Sequence, residues 1–193
     1  MRNLIESIIR MDNATSKYDY RPKLQGVHLK GSSEASILVE ATDGHILAQE
    51  HVEVGQSFES LDAIFPNEAI AKLKLFLKTA GKKADGFSMA LEGTELTFYH
   101  GTKDDHIDVV TIKLLIHEYP DTSHLMMEDK TRPFKICINP QMLLSLYKAM
   151  NTEKSDRGIT LMLNTNGSAI QSIKVVHGNC EGMLMPIWGG KVR

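Results

Sequence analysis

Pro66 and Pro140 each stand at the head of a stretch whose apolar residues recur at helical spacing, and short runs of β-type residues follow both. Proline is tolerated at the first helical position, where its missing N–H has no intrahelical partner to lose, so both prolines read as helix starts. After Pro66 the apolar face is Ala69, Ile70, Leu73, Phe76 and Leu77; after Pro140 it is Met142, Leu143, Leu146, Tyr147 and Met150. The first residues show the same order without a proline: Leu4, Ile5, Ile8 and Ile9 place one apolar stripe on a helix over 2–11, with Arg2, Glu6 and Arg10 opposite. Strand-like runs follow that helix at 23–30, 36–42 and 45–54, with Asp43-Gly44 as a hairpin signal. They follow the second helix near 86–92, 95–100 and 107–116, and surround the third at 134–138, 158–163, 168–176 and 180–188. Three successive helix-plus-three-strand units, each too small to bury its apolar face alone, predict an α+β protein built by repetition, with helices on one face of antiparallel sheets.

The 193 residues suffice for one large or two small domains and exclude three. Lys and Arg number 22 against 24 Asp and Glu, so no global positive field advertises nucleic-acid binding, and any basic surface must be local. The place to seek one is the helix face turned away from the sheet: Arg2 and Arg10 in the first unit, Lys74 and Lys78 in the second, Gln141, Ser145 and Lys148 in the third, with Lys154 and Arg157 just beyond. Glu6 offsets the first group and Leu75 interrupts the second. Each face taken singly is an ordinary solvated one. Aligned, they make a surface that tracks phosphates without reading sequence and weakens with salt.

Other chemistries find little support. Cys137 and Cys180 lie far apart and belong to no C-x-x-C or Cys/His cluster, so neither a disulfide framework nor a zinc site is indicated, and a reducing cytoplasm is the default location. His100 with His106, or His117 with His124, lack a metal-binding register. Asp43 and His45 stand two apart, but no nucleophile in a recognisable setting accompanies them, and phosphate-cradling glycine loops are missing. No catalytic residue, metal or cofactor is expected. No run reaches the ~18 apolar residues of a membrane span, and Arg2, Glu6 and Arg10 break the N-terminal run where a signal peptide needs a continuous apolar centre.

At Leu24-Gln25-Gly26-Val27, at Ala41-Thr42-Asp43-Gly44-His45-Ile46-Leu47-Ala48, at Tyr119-Pro120-Asp121 and at Met183-Leu184-Met185-Pro186-Ile187, the chain resembles the bacterial sliding clamps, the beta subunits of DNA polymerase III. Order and spacing agree as well. Residues 1 to about 128 resemble the middle of that family's three domains, and about 129 to 193 the second half of its last; a strand expected before the first helix has no counterpart. The resemblance implies a DNA-clamp-like fold and a non-catalytic accessory subunit. In the family such units close into a ring whose helices line a hole around duplex DNA, holding a polymerase to its template while sliding.

The resemblance also implies an apolar cleft for short peptides of polymerases and other partners. Carried over, it comprises Leu24, Thr42, Gly44, His45 and Leu47, with Pro120 and Leu125, and Met183, Met185, Pro186 and Ile187. Methionine suits such a cleft because its thioether side chain adapts to varied ligands. The chain departs from the family in two places: Ile46 stands where an Arg is usual, and Trp188 to Arg193 run on past the usual end. Since the family's ring holds twelve units, four chains of three would supply it, and a homotetramer is the expected assembly. The alternative is a shortened clamp-like regulator, encoded by a phage or mobile element, that modulates a host replication machinery without encircling DNA.

Overall fold

The computed structural model describes residues 1–18, 20–81, 86–102, 105–123, 137–150, 158–163, 172–177 and 180–186. The chain divides into two compact units, Met1–Thr122 and Ser123–Arg193.

The first unit opens with helix α1 (Arg2–Met11), which buries Leu4, Ile5, Ile8 and Met11 as its periodicity requires, with Ser7 beside them. Strands β1 (Gly26–Gly31), β2 (Ser36–Thr42), β3 (Leu47–Glu53) and β4 (Asp62–Pro66) form an antiparallel sheet in the order β3-β2-β1-β4. Helix α2 (Ile70–Ala80) precedes a second antiparallel sheet, β5 (Phe87–Glu92), β6 (Glu95–Thr102) and β7 (Asp105–Lys113), in chain order. The predicted repeat is therefore present with one addition. A fourth strand, β4, enters the first sheet beside β1, although it leads directly into the helix of the second repeat.

That strand corrects the reading of Pro66. Instead of opening α2, Pro66 ends β4 in an extended conformation, a single 3-10 turn over Asn67–Ala69 follows, and the α-helix begins at Ile70. Pro66 sits opposite Gly26 at the end of the ladder, where a missing donor is tolerated. A pair of backbone bonds between Ile64 and Leu115, both 2.9 Å, ties β4 to the segment leaving β7 and so links the two sheets.

One core serves the whole first unit. Leu4, Ile5 and Ile8 of α1, Leu73 and Phe76 of α2, and Val27, Val39, Phe65, Leu96 and Phe98 of the two sheets belong to the same buried cluster. Along β1, β2 and β4 the core residues alternate, Val27 and Leu29, Ile37, Val39 and Ala41, Ala63 and Phe65 facing the helices, so that His28, Glu40 and Asp62 fall on the opposite face.

In the second unit, helix α3 (Pro140–Met150) does begin at its proline, and β8 (Thr160–Leu163), β9 (Ile173–His177) and β10 (Cys180–Leu184) form an antiparallel sheet in the order β10-β9-β8. Its smaller core joins Met150, Ile173, Val175 and Leu184, with Leu143 and Leu146 packed against them. Met142, expected inward, is exposed: the helix offers more apolar residues than one sheet face can cover. Of the run predicted at 134–138, Cys137 and Ile138 form no strand, while 134–136 and the tail from Ile187 lie outside the described residues. Cys137 and Cys180 are free thiols.

Candidate docking and DNA-facing surfaces

The turn between β2 and β3 is held by its own side chains. The Asp43 carboxylate accepts from the backbone N–H of His45 at 2.8 Å and of Ile46 at 2.9 Å. Thr42 Oγ1 accepts from the Gly44 N–H at 3.0 Å and donates to the Ile46 carbonyl at 2.6 Å. The amides of Ile46 and His45 hold the Asp43 carboxyl below its ordinary range. Gly44 has φ +92°, in the region that strains any residue with a Cβ. Arg21 reaches across to donate to the Asp43 carbonyl, and its guanidinium also lies 5.5 Å from the centre of the Tyr20 ring, which stacks on Tyr18.

This lattice leaves Gly44, His45 and Ile46 in solvent, with Ile46 53% exposed, while Leu47 and Leu24 are half-buried. Thr42, expected to line the surface, is buried and serves as the cap that shapes the turn. Pro120 is exposed on the segment leaving β7; its neighbour Tyr119 lies against the backbone of Thr42, which brings Pro120 toward the end of β2. Sequence reasoning missed Arg21, Tyr18 and Tyr20. The usual family Arg is absent at Ile46, and Arg21 supplies a cation to the same turn from a different loop.

On the second unit the β9–β10 hairpin alternates in the expected way. Leu184 points into the core opposite Ile173, and Gly182 faces α3 so closely that a Cβ there would stand 2.8 Å from Leu146 Cδ1 and 3.0 Å from Met150 Sδ. Met183 and Met185 are exposed, at 67% and 54%, and Pro186 is half-buried. Leu125 and Ile187 lie outside the described residues.

The basic helix faces differ in availability. Arg2 pairs with Glu6 at 2.8 Å, donates to the Gly81 carbonyl at 2.7 Å and covers the Phe87 ring, so it works chiefly inside the fold. Arg10 is exposed but paired with Glu50 at 2.6 Å. On α2, Lys74 and Lys78 are exposed together with Lys72, which sequence reasoning left aside, and none has an ion pair among the described residues. Helices α1 and α2 touch. Lys148 is exposed near the end of α3; Lys154 and Arg157 lie outside the described residues.

Residues 1–121 match the family model of the DNA polymerase III beta subunit, central domain. The chain belongs to that family. Its fold is that of solved sliding clamps: the clamp of Bartonella birtlesii bound to griselimycin, 23% identical with a TM-score of 0.73, is matched over 96% of this chain and 49% of its own. The clamp of Pseudomonas aeruginosa is 22% identical with a TM-score of 0.72, over 98% and 50%. The beta subunit of Streptococcus pyogenes is 22% identical with a TM-score of 0.70, over 96% and 48%. The chain thus spans about half the length of the clamps it resembles. No curated protein matches its sequence significantly. Among the described residues no helix is long and apolar enough to cross a membrane, and no group of three metal-ligating side chains occurs.

Proposed function

We propose that this beta-subunit relative is a non-catalytic, cytoplasmic processivity factor: copies of it join into a ring around duplex DNA, and an apolar wall on each copy docks peptides of a polymerase or other replication proteins. The observation that carries the docking reading is the solvent exposure of Met183 and Met185, large apolar side chains at positions carried over from the family's docking motif. On the first unit the docking residues are Leu24, Gly44, His45, Leu47 and Pro120, on the second Pro186 joins Met183 and Met185, and Leu125 and Ile187 are assigned by sequence. Lys72, Lys74 and Lys78, which have no ion pair among the described residues, support contact with DNA backbone together with Lys148, and Arg2 and Arg10 contribute less because Glu6 and Glu50 already neutralise them.

Two measurements test this. Griselimycin, carried by the Bartonella birtlesii clamp, serves as the docking probe: calorimetry should show binding, abolished by Leu24→Arg or Met185→Asp with the circular dichroism spectrum unchanged, because each puts a charge into an apolar surface. Unchanged affinity in both variants removes the wall assignment. Light scattering should give the mass of a closed assembly, four chains of 21.5 kDa, which is retained on nicked circular duplex and released when the circle is cut. A monomer at every concentration, unretained by circles, sinks the ring; capture of an intact host clamp by that monomer would then establish the regulator in its place.

A further inference from the structure

The outer face of the first sheet carries a buried polar cluster with no part in the docking wall. His28, Glu40 and Asp62 come from the three adjacent strands β1, β2 and β4. His28 Nδ1 lies 2.8 Å from Glu40 Oε1, and Nε2 lies 2.9 Å from Asp62 Oδ1. His28 and Glu40 are buried, whereas the Asp62 side chain is 61% exposed. A sheet face turned from its core is ordinarily solvated; here the segment leaving β7 covers it. That segment is fastened at three points: the Ile64–Leu115 backbone pair, the Tyr119 ring stacked on the His28 imidazole at 4.4 Å and 15°, and the Thr122 hydroxyl, which donates to Glu40 Oε2 at 2.6 Å.

We propose that the Glu40–His28–Asp62 relay is a proton-controlled latch that holds the 115–122 segment on the sheet when both imidazole nitrogens carry hydrogen, and loosens it when one does not. The consequence for docking, through the position of Pro120, rests on the function proposed above; the latch itself does not.

Each imidazole nitrogen faces a carboxylate oxygen, so both contacts are hydrogen bonds only in the doubly protonated ring. A neutral ring leaves one carboxylate facing a lone pair and deprives the buried Glu40 of its countercharge. The other groups facing the cluster do not substitute. Lys30 of β1 acts on Glu40 only through its charge, Thr122 is neutral, and the Tyr119 phenol is held well above its ordinary value by burial and by Glu40, so it stays neutral. Burial alone would depress the His28 pKa, but the hydrogen bonds and charges of Glu40 and Asp62 override it and raise it above 6.5. Burial would likewise raise the Glu40 pKa, yet His28 and Thr122 hold it below 4.5.

The signs fix the window. The His28 contribution is fully present below pH 6.5 and is lost as pH rises through its raised value. The Glu40 contribution is present above pH 4.5 and is lost as pH falls through its lowered value. The latch is therefore firm between the two and opens on the alkaline side.

The test is amide hydrogen exchange of the intact protein, corrected for intrinsic rates, from about pH 5.5 to about pH 9, spanning the ordinary histidine range. Protection across 115–122 should fall roughly tenfold on the alkaline side, the scale of one hydrogen bond to a charged group, while β6 amides stay unchanged. His28→Gln should show low, pH-independent protection in 115–122. Tyr119→Phe keeps the ring stacked on His28 and leaves both carboxylate contacts in place, so it should keep the wild-type profile; a flat profile in this variant would put the titrating group at Tyr119 and overturn the latch. Flat protection in the wild-type protein, or a pH profile that survives His28→Gln, overturns the latch. Griselimycin affinity measured over the same range reads the docking consequence separately: loss of the pH profile in exchange defeats the latch, whereas absence of griselimycin binding at every pH defeats only the docking reading.

Discussion

Gly44→Ala isolates how much the Asp43–Gly44 turn depends on Arg21. At φ +92° an L-residue meets the left-handed penalty of about 1–2 kcal/mol, partly offset because alanine has less freedom to lose on folding, leaving about 1 kcal/mol. A Cβ at Gly44 would also stand 2.5 Å from Arg21 Nη1. The guanidinium must move, and its bond to the Asp43 carbonyl goes with it, at about 1 kcal/mol more. Gly55 is the internal control, since its φ of +74° carries the same backbone penalty with nothing within 4 Å of the added methyl. Gly44→Ala should therefore cost about 2 kcal/mol and Gly55→Ala about 1, which for a unit of this size separates their melting temperatures by about 3–5 °C. Thermal unfolding gives the difference directly, and amide exchange at His45 and Ile46 should accelerate in the first variant alone. Equal melting temperatures for the two variants would refute the role given to Arg21.

Gly182→Val should destabilise the second unit by about 1–3 kcal/mol, because its methyls enter the space of Leu146 and Met150, while amide protection in α1 and β6 stays unchanged; unaltered exchange in α3 and β9 would contradict the close approach. Acid should loosen the β2–β3 turn. The Asp43 pKa is lowered, so its contribution is present above pH 3.8 and lost as pH falls through the lowered value, and the amides of His45 and Ile46 should then exchange faster. In Asp43→Asn the carboxylate is gone, and that acid dependence should vanish; its persistence would mean another group holds the turn.

Much of this architecture is local, and what is local was legible. The apolar stripe of α1 gives its bounds, Asp43-Gly44 gives the hairpin, and Pro140 gives the start of α3. Strand β4 was not legible, for a physical reason: Ala63, Ile64 and Phe65 are all buried, so five residues flanked on both sides show no alternation, and the closing proline fits a helix start equally well. Motifs named the residues proposed for docking, yet the burial of Thr42 follows from a hydroxyl that bonds its own turn, which a motif does not reveal. The His28–Glu40–Asp62 cluster was beyond reach, because His28 meets partners 12 and 34 residues away and only the sheet register brings them together. Arg2 shows both cases: Glu6 one turn along is visible in the sequence, while the Gly81 carbonyl is not.

Strand β4 has a consequence for how the first unit can be divided. It introduces the second helix but is woven into the first sheet, so the first sheet is completed by a strand that belongs in sequence to the second half. A chain severed in the exposed turn at Gly55–Ser57 would yield two fragments, one with a bare ladder along β1 and one with a stray strand ahead of α2. Neither piece can complete itself, and mixing them should restore the whole, as with two halves of a clasp.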